Sequence, residues 1–151
     1  MNHWKTNKEQ VEKLLREAVV VRLAMCVDNK PYVVPVNFGI GKEVLYFHSG
    51  SKGTKVEILS KNPVVAFEMD ADVEVVRKDD ACKWSMKYRS IVGSGKVVKV
   101  TDPGEKEKGL DCLMAHHAPG KSFTYHEKML GVTNVYKIEV ESLHYKESDT
   151  E

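Results

Sequence analysis

Residues with chemical potential are concentrated in one short stretch, residues 48–55, which reads HSGSKGTK. A strand-like Leu-Tyr-Phe run precedes it, and a short helical pattern that ends at Asn62-Pro63 follows it. A helix N-terminus presents unpaired N–H groups and partial positive charge, glycines allow close backbone approach, and hydroxyls and lysines add donors and charge. The stretch therefore predicts an anion site of the kind that holds phosphate. Because no Walker-type GKS or GKT occurs, an ordinary helix start with solvated lysines fits this segment equally well.

His48 ends the strand and is the candidate catalytic residue. An imidazole at this position can donate a hydrogen bond to a ligand or transfer a proton near neutral pH. The alternative is a strand-end histidine that faces solvent or packs against a neighbour.

The other residues that could take part in chemistry also have structural explanations. Cys112 and His116 stand four apart on a predicted helix, but no second ligand pair has suitable spacing, so we predict no metal site. Cys82 lies between lysines that would lower the pKa of a thiol, yet a plain loop cysteine is the simpler interpretation. Trp84 fits a ring that covers a planar ligand as well as it fits a loop anchor.

Composition limits the classes of protein. With 151 residues, we expect one domain spanning 1–151, and 23 basic against 22 acidic residues give a formal net charge of +1. This balance argues against nucleic acid and anionic membranes as partners. No apolar run is long enough to span a bilayer, and the N-terminus lacks the apolar core of a secretory signal. Three widely spaced cysteines indicate reduced thiols, so we expect a cytoplasmic protein.

Hydrophobic periodicity predicts a mainly β protein with a few helices. Thr6 and Glu9 form a potential capping box at the start of the first helix. Pro35 cannot donate to a strand ladder, so it indicates an edge strand, a bulge or a locally opened sheet. The absence of a βαβ rhythm indicates an antiparallel barrel or sandwich. The three predicted helices lie in 6–18, 54–62 and 101–120, and the six strands are 19–27, 32–40, 44–49, 64–76, 88–100 and 131–147.

The order of these motifs resembles the flavin-binding split-barrel family, which includes pyridoxine 5′-phosphate oxidases and the nitroimidazole-resistance (Nim-type) flavoproteins. The resemblance covers about residues 9–146 and rests on RLA, PYVVPV, LYFH, the lysine-bearing helix start, the Asn-Pro and YRSIVGSG, taken in this order. The segments LMAHHAPGK and VYKIEVESLHYKE are similar to the Nim-like branch. The resemblance implies an antiparallel six-stranded split β-barrel with peripheral helices that binds FMN, usually across a homodimer interface.

The resemblance also implies roles for individual residues. Lys55 matches a phosphate-binding lysine, and Ser49 matches a hydroxyl at the end of the preceding strand. Thr54 stands where the oxidase branch has an arginine, so Lys52 is expected to compensate, and Ser90 replaces a glutamine. The full predicted cofactor set is Arg22, Val36, Asn37, Phe38, His48, Ser49, Lys52, Gly53, Thr54, Lys55, Arg89 and Ser90.

These features predict an FMN-dependent oxidoreductase that acts on a small molecule, with nitro-group reduction as the lead from the Nim-like branch. A flavin carrier or sensor without turnover is the alternative of a different class. Pyridoxine 5′-phosphate oxidase activity is less favoured, because it would need more cationic residues and an extra C-terminal segment. F420 and haem remain open as cofactors, although the balanced charge disfavours the polyglutamate tail of F420.

Overall fold

The structure is a computed structural model that describes residues 3–149. The helices are α1 (His3–Thr6), α2 (Lys8–Glu17), α3 (Thr54–Lys61), α4 (Pro103–His117) and α5 (Glu127–Val132), and a 3₁₀ turn covers Ala81–Lys83. The strands are β1 (Val20–Val27), β2 (Lys30–Asn37), β3 (Gly39–Ile40), β4 (Val44–Ser49), β5 (Val64–Val76), β6 (Ser85–Lys99) and β7 (Asn134–Ser148).

All seven strands belong to one antiparallel sheet in the order β2-β1-β5-β6-β7-β4-β3. The predicted mainly β, antiparallel class with peripheral helices is therefore confirmed. The prediction of a six-stranded barrel is wrong in two respects, because the sheet has seven strands and its hydrogen-bonded order is open. Phe38 causes the difference, since it divides the expected strand 32–40 into β2, which pairs with β1, and β3, which pairs with β4.

The two edges of this sheet meet at Phe38. Asn37 ends β2 and Gly39 begins β3, although these strands lie at opposite ends of the strand order. Because consecutive Cα atoms are about 3.8 Å apart, the edges lie within roughly 8 Å of each other at this point. The sheet is therefore strongly curled, and the fully buried ring of Phe38 packs inside the curl.

The concave side of the sheet and α2 form the main core. Val11, Leu14 and Leu15 of α2 are completely buried, as the helical periodicity predicts. The predicted capping box is wrong, because α1 continues through Thr6 and Asn7 is the N-cap of α2, without a side-chain cap. Pro35 lies on the edge strand β2, which confirms the prediction from its missing N–H.

α4 packs directly on β3 and β4. A Cβ atom added at Gly39 would lie 2.4 Å from the backbone of Cys112 and of Leu113, and one added at Gly109 would lie 2.8 Å from the ring of Tyr46. These two glycines let the helix approach the sheet closely, and the C-terminal end of α4 thereby reaches Phe38. Among residues 3–149, no helix combines the length and the hydropathy needed to cross a lipid bilayer.

Candidate functional site

The junction between β4 and α3 has the geometry expected of an anion site. Gly53 is the N-cap of α3 with φ +131°, a conformation that L side chains rarely adopt, and α3 has no side-chain cap. The N–H of Glu57 makes the first intrahelical bond, to the Gly53 carbonyl, so the preceding N–H groups of the helix have no acceptor within it. A Cβ atom at Gly50 or Gly53 would meet no atom within 4 Å. The backbone of this loop is therefore open to a ligand.

The charge at the junction is positive and uncompensated. Among the described residues, neither Lys52 nor Lys55 forms an ion pair with a carboxylate. Lys55 is half-buried, and this burial lowers the pKa of its ammonium group. A phosphate between Lys55 and the first turn of α3 would restore the lost solvation and satisfy the helix terminus. The residues present therefore fit a phosphate-bearing cofactor such as FMN.

The surroundings of His48 favour its neutral form. Burial lowers the pKa of His48, and the positive charge of Lys55 lowers it further. Burial also lowers the pKa of His117, with smaller contributions from His116 and His48. A neutral imidazole carries one N–H donor and one acceptor nitrogen, so His48 can either donate a hydrogen bond to a ligand or accept one from it.

His116 of α4 contacts Phe38, the residue at which the two edges of the sheet meet. Its Nδ1 lies 2.7 Å from the Phe38 carbonyl oxygen, and its ring centroid lies 4.4 Å from that of Phe38. The His117 ring is 4.8 Å from that of His116. His116 is half-buried, and His48 lies close enough to His117 to affect its pKa, which the sequence did not reveal. In the sequence, the only local sign of this proximity is the pair of adjacent histidines, His116 and His117, at the end of a predicted helix.

A cavity of about 310 Å³ adjoins His48. Leu110 of α4, residues 124–126 and side chains of α5, including Met129 and Leu130, line it. The hydroxyl of Tyr125 donates a 2.8 Å hydrogen bond to Asp111, and burial together with this carboxylate raises the pKa of Tyr125 to about 12. Sequence reasoning missed both α5 and this cavity, because residues 121–133 show no strong periodicity.

The residues expected beside a flavin ring lie near the same corner. Asn37 is the last residue of β2 and pairs with Val20, and Gly39, two residues further on, pairs with Tyr46 of β4. Val36 is buried and Asn37 is exposed. The ring of Phe38 belongs to the core, and its carbonyl oxygen lies 2.7 Å from Nδ1 of His116.

Arg22 and Ser90 are linked through an acidic neighbour. Arg22 Nη1 lies 3.0 Å from Glu68 Oε2 and 3.7 Å from Asp70 Oδ1, so its charge is already paired. Ser90 is the register partner of Asp70 on the adjacent strand. Arg22 would have to exchange these carboxylates for a phosphate in order to serve as the predicted ligand.

Arg89 points to the other face of β6, as adjacent strand residues must. Its Nε donates a 2.6 Å hydrogen bond to Asp72, and its Nη2 pairs with Glu17 of α2. The hydrogen bond with Glu17 is the main cause that raises the pKa of Arg89. In this arrangement Arg89 fastens α2 to the sheet.

Residues 77–84 form a compact loop beyond the long β5–β6 hairpin. The indole N–H of Trp84 donates a 2.6 Å hydrogen bond to the Lys78 carbonyl, so Trp84 anchors this loop although much of its ring is exposed. Cys82 is an exposed free thiol. No group of residues suited to hold a metal ion is present within 3–149.

Comparisons with known proteins place these features in a family. The profile of the pyridoxamine 5′-phosphate oxidase family matches residues 7–147. A solved structure of a candidate 5-nitroimidazole antibiotic resistance protein from Bacteroides thetaiotaomicron VPI-5482 is 31% identical, with a TM-score of 0.80, and the match covers 90% of this chain and 81% of that protein. No curated protein sequence matches the chain.

Two more distant structures share the fold. The FAD and haem binding protein from Mycobacterium smegmatis is 22% identical with a TM-score of 0.85, covering 95% of this chain and 72% of its own. A flavocytochrome from Azotobacter vinelandii is 18% identical with a TM-score of 0.82, covering 95% and 68% respectively. The resemblance that the motifs indicate is thus confirmed over nearly the whole sequence, and the chain belongs to the pyridoxamine 5′-phosphate oxidase family.

Proposed function

We propose that this protein is an FMN-binding flavoprotein that reduces a small molecule. The observation that carries the proposal is the uncapped N-terminus of α3, with Lys52 and Lys55 beside it and neither lysine paired to a carboxylate within residues 3–149. Membership of the family supports it, as do the flavin-binding proteins among the structural neighbours and the 31% identity to a candidate 5-nitroimidazole resistance protein.

Bound FMN would supply the redox chemistry, which is transfer of a hydride or of electrons. The chain would hold the phosphate with the first turn of α3, Lys52 and Lys55. Asn37 would lie beside the ring, and neutral His48 would hydrogen-bond the substrate or pass a proton through a ring nitrogen. The cavity of about 310 Å³ beside His48 has room for a small substrate.

We further propose that the protein functions as a homodimer. Val33, Ala24 and Ala66 stand in register across β2, β1 and β5 on one exposed face of the sheet. Val33 is 61% exposed and nearby Val92 on β6 is 50% exposed. A face of this composition favours burial against a second copy.

The cofactor is tested first with protein purified without added flavin. We expect a flavin absorption spectrum, and mass spectrometry of the heat-released molecule should give the mass of FMN rather than FAD. Lys55→Ala should weaken FMN retention, whereas Lys61→Ala, at the other end of α3, should not. A colourless protein that also fails to bind added FMN would overturn the proposal.

Turnover is tested on FMN-loaded protein that has been reduced with dithionite under argon. We expect a 5-nitroimidazole to reoxidise the flavin faster than it reoxidises free reduced FMN, and His48→Gln to slow this reaction while retaining FMN. No acceleration over free FMN would favour the carrier or sensor alternative. Oxidation of pyridoxine 5′-phosphate by the oxidised protein would instead favour the oxidase activity.

A further inference from the structure

Two cavities share lining residues near the C-terminal end of α2 and lie apart from the β4–α3 junction; the larger is lined by α1, α2 and residues 40–43, and the smaller lies between α2 and α4. Their volumes are about 770 Å³ and 490 Å³, and both are lined by Arg16 and Ile40. Neither cavity is lined by His48 or by any other residue of 48–55. We call this continuous depression the Arg16 groove. Arg16 occupies the last turn of α2, where the two cavities meet.

The carboxylates of the groove already have partners. Glu12 is paired with Lys8 at 3.9 Å, and Glu43 is paired with Lys5 at 3.8 Å. Asp111 accepts the 2.8 Å hydrogen bond from the Tyr125 hydroxyl. The remaining cationic side chains of the groove have no carboxylate partner among the described residues, and these are Arg16, Lys42 and Lys108. The groove therefore has an excess of positive charge that complements an anion.

Charged side chains form most of the wall of the larger cavity, whereas apolar side chains form much of the wall of the smaller one. The buried side chain of Trp4 lines the larger cavity, and Ile40, Ala115 and Pro119 line the smaller one. The smaller cavity therefore suits a ligand that presents an apolar body to Ile40, Ala115 and Pro119 and its charge to Arg16. The planar guanidinium can bind both oxygens of a carboxylate at once, which a lysine cannot do.

We propose that the Arg16 groove binds an aromatic carboxylate, with its carboxylate on Arg16 and its ring against the apolar wall of the smaller cavity. The site is distinct from the predicted phosphate site at the β4–α3 junction, because no residue of 48–55 lines either cavity. The volume of the smaller cavity accommodates a ligand of one or two fused rings.

Isothermal titration of the full chain with 2-naphthoate, in the presence and absence of FMN, tests the proposal. We expect 2-naphthoate to bind in both conditions and its uncharged amide to bind more weakly. Arg16→Gln should weaken 2-naphthoate binding about tenfold or more, as loss of a charge-assisted hydrogen bond implies. The matched control is Lys13→Gln, which removes an exposed cation from the same helix outside the groove and should leave the affinity unchanged.

Nuclear magnetic resonance spectra of the wild-type protein locate the probe without relying on the folding of a variant. The amide signals of Arg16, Gly41 and Ala115 should shift on adding 2-naphthoate, and that of Lys55 should not. Absence of binding, displacement by FMN, shifts confined to residues 48–55, or equal affinity in Arg16→Gln would each overturn the proposal.

Discussion

Replacing Arg89 with methionine tests whether this residue holds the fold together or contacts the cofactor. The side chain of Arg89 is only 17% exposed, and its guanidinium bonds to Asp72 of β5 and to Glu17 of α2. Methionine keeps much of the length of the side chain and removes the charge. The variant therefore leaves α2 without its ionic attachment to β5 and β6 while disturbing the packing little.

The loss in free energy of unfolding expected for Arg89→Met lies between two limits. Exposed ion pairs contribute about 1 kcal/mol or less, whereas breaking a buried pair costs about 3–5 kcal/mol. Glu17 and Asp72 keep 39% and 67% of their side-chain exposure, so solvent screens both pairs partially. We expect Arg89→Met to lower the free energy of unfolding by about 1–3 kcal/mol. At roughly 2–4 °C per kcal/mol for a chain of this size, Tm should fall by about 2–12 °C.

Thermal unfolding followed by circular dichroism measures this loss, with Arg77→Met as the control. Arg77 is exposed and forms no ion pair with any described carboxylate, so its variant should unfold like the wild type. A double-mutant cycle with Glu17→Gln should give a coupling energy of about 0.5–2 kcal/mol that decreases in high salt.

An unchanged Tm together with zero coupling would refute the structural role of Arg89. If Arg89→Met also weakened FMN binding at unchanged Tm, the cofactor contact implied by the sequence resemblance would be the correct assignment. Loss of stability at normal FMN affinity would instead confirm that Arg89 acts on the attachment of α2.

Three further substitutions test the β4–α3 junction, the packing of α4 on the sheet, and the exposed face of the sheet. In the ligand-free protein, Lys55→Met should raise the pKa of His48, but not to its ordinary value, because burial is the larger cause of the depression; a proton NMR titration of the histidine Cε1–H signals measures this. Gly39→Ala should cost about 1–3 kcal/mol in urea unfolding, because its Cβ would lie 2.4 Å from the backbone of Cys112. Val33→Glu should shift the protein from dimer to monomer in sedimentation velocity, since it places a charge in the proposed interface.

Each of these variants has a matched control. Lys61→Met lies at the far end of α3 and should leave the titration of His48 unchanged. Gly131→Ala adds a Cβ atom into open space and should not destabilise the protein. Val19→Glu changes an equally exposed valine that precedes β1 and should not alter the association state. An unshifted His48, an undiminished stability in Gly39→Ala, or a Val33→Glu dimer would contradict the corresponding argument.

Local patterns in the sequence were sufficient to predict most of the elements. The alternating run Val64–Val76 forms β5 with the predicted bounds, and the apolar face of α2 is buried as its periodicity indicates. Pro35 signalled an edge strand because it lacks an N–H group. Glycines, hydroxyls and lysines at residues 48–55 signalled the junction, because turn chemistry and helix starts depend on neighbouring residues only. These features need no information from distant parts of the chain.

The arrangement of those elements depended on contacts that no local pattern records. Phe38 divides one apparent strand into two, because its ring is buried in the curl while β2 and β3 pair with different partners. Arg89 binds carboxylates of α2 and β5, and His117 of α4 lies close enough to His48 for their charges to interact. Composition and periodicity thus determined the class of fold and the chemical character of the junction. Only the tertiary structure decided which side chains share a site, because strand order and side-chain facing arise from long-range packing.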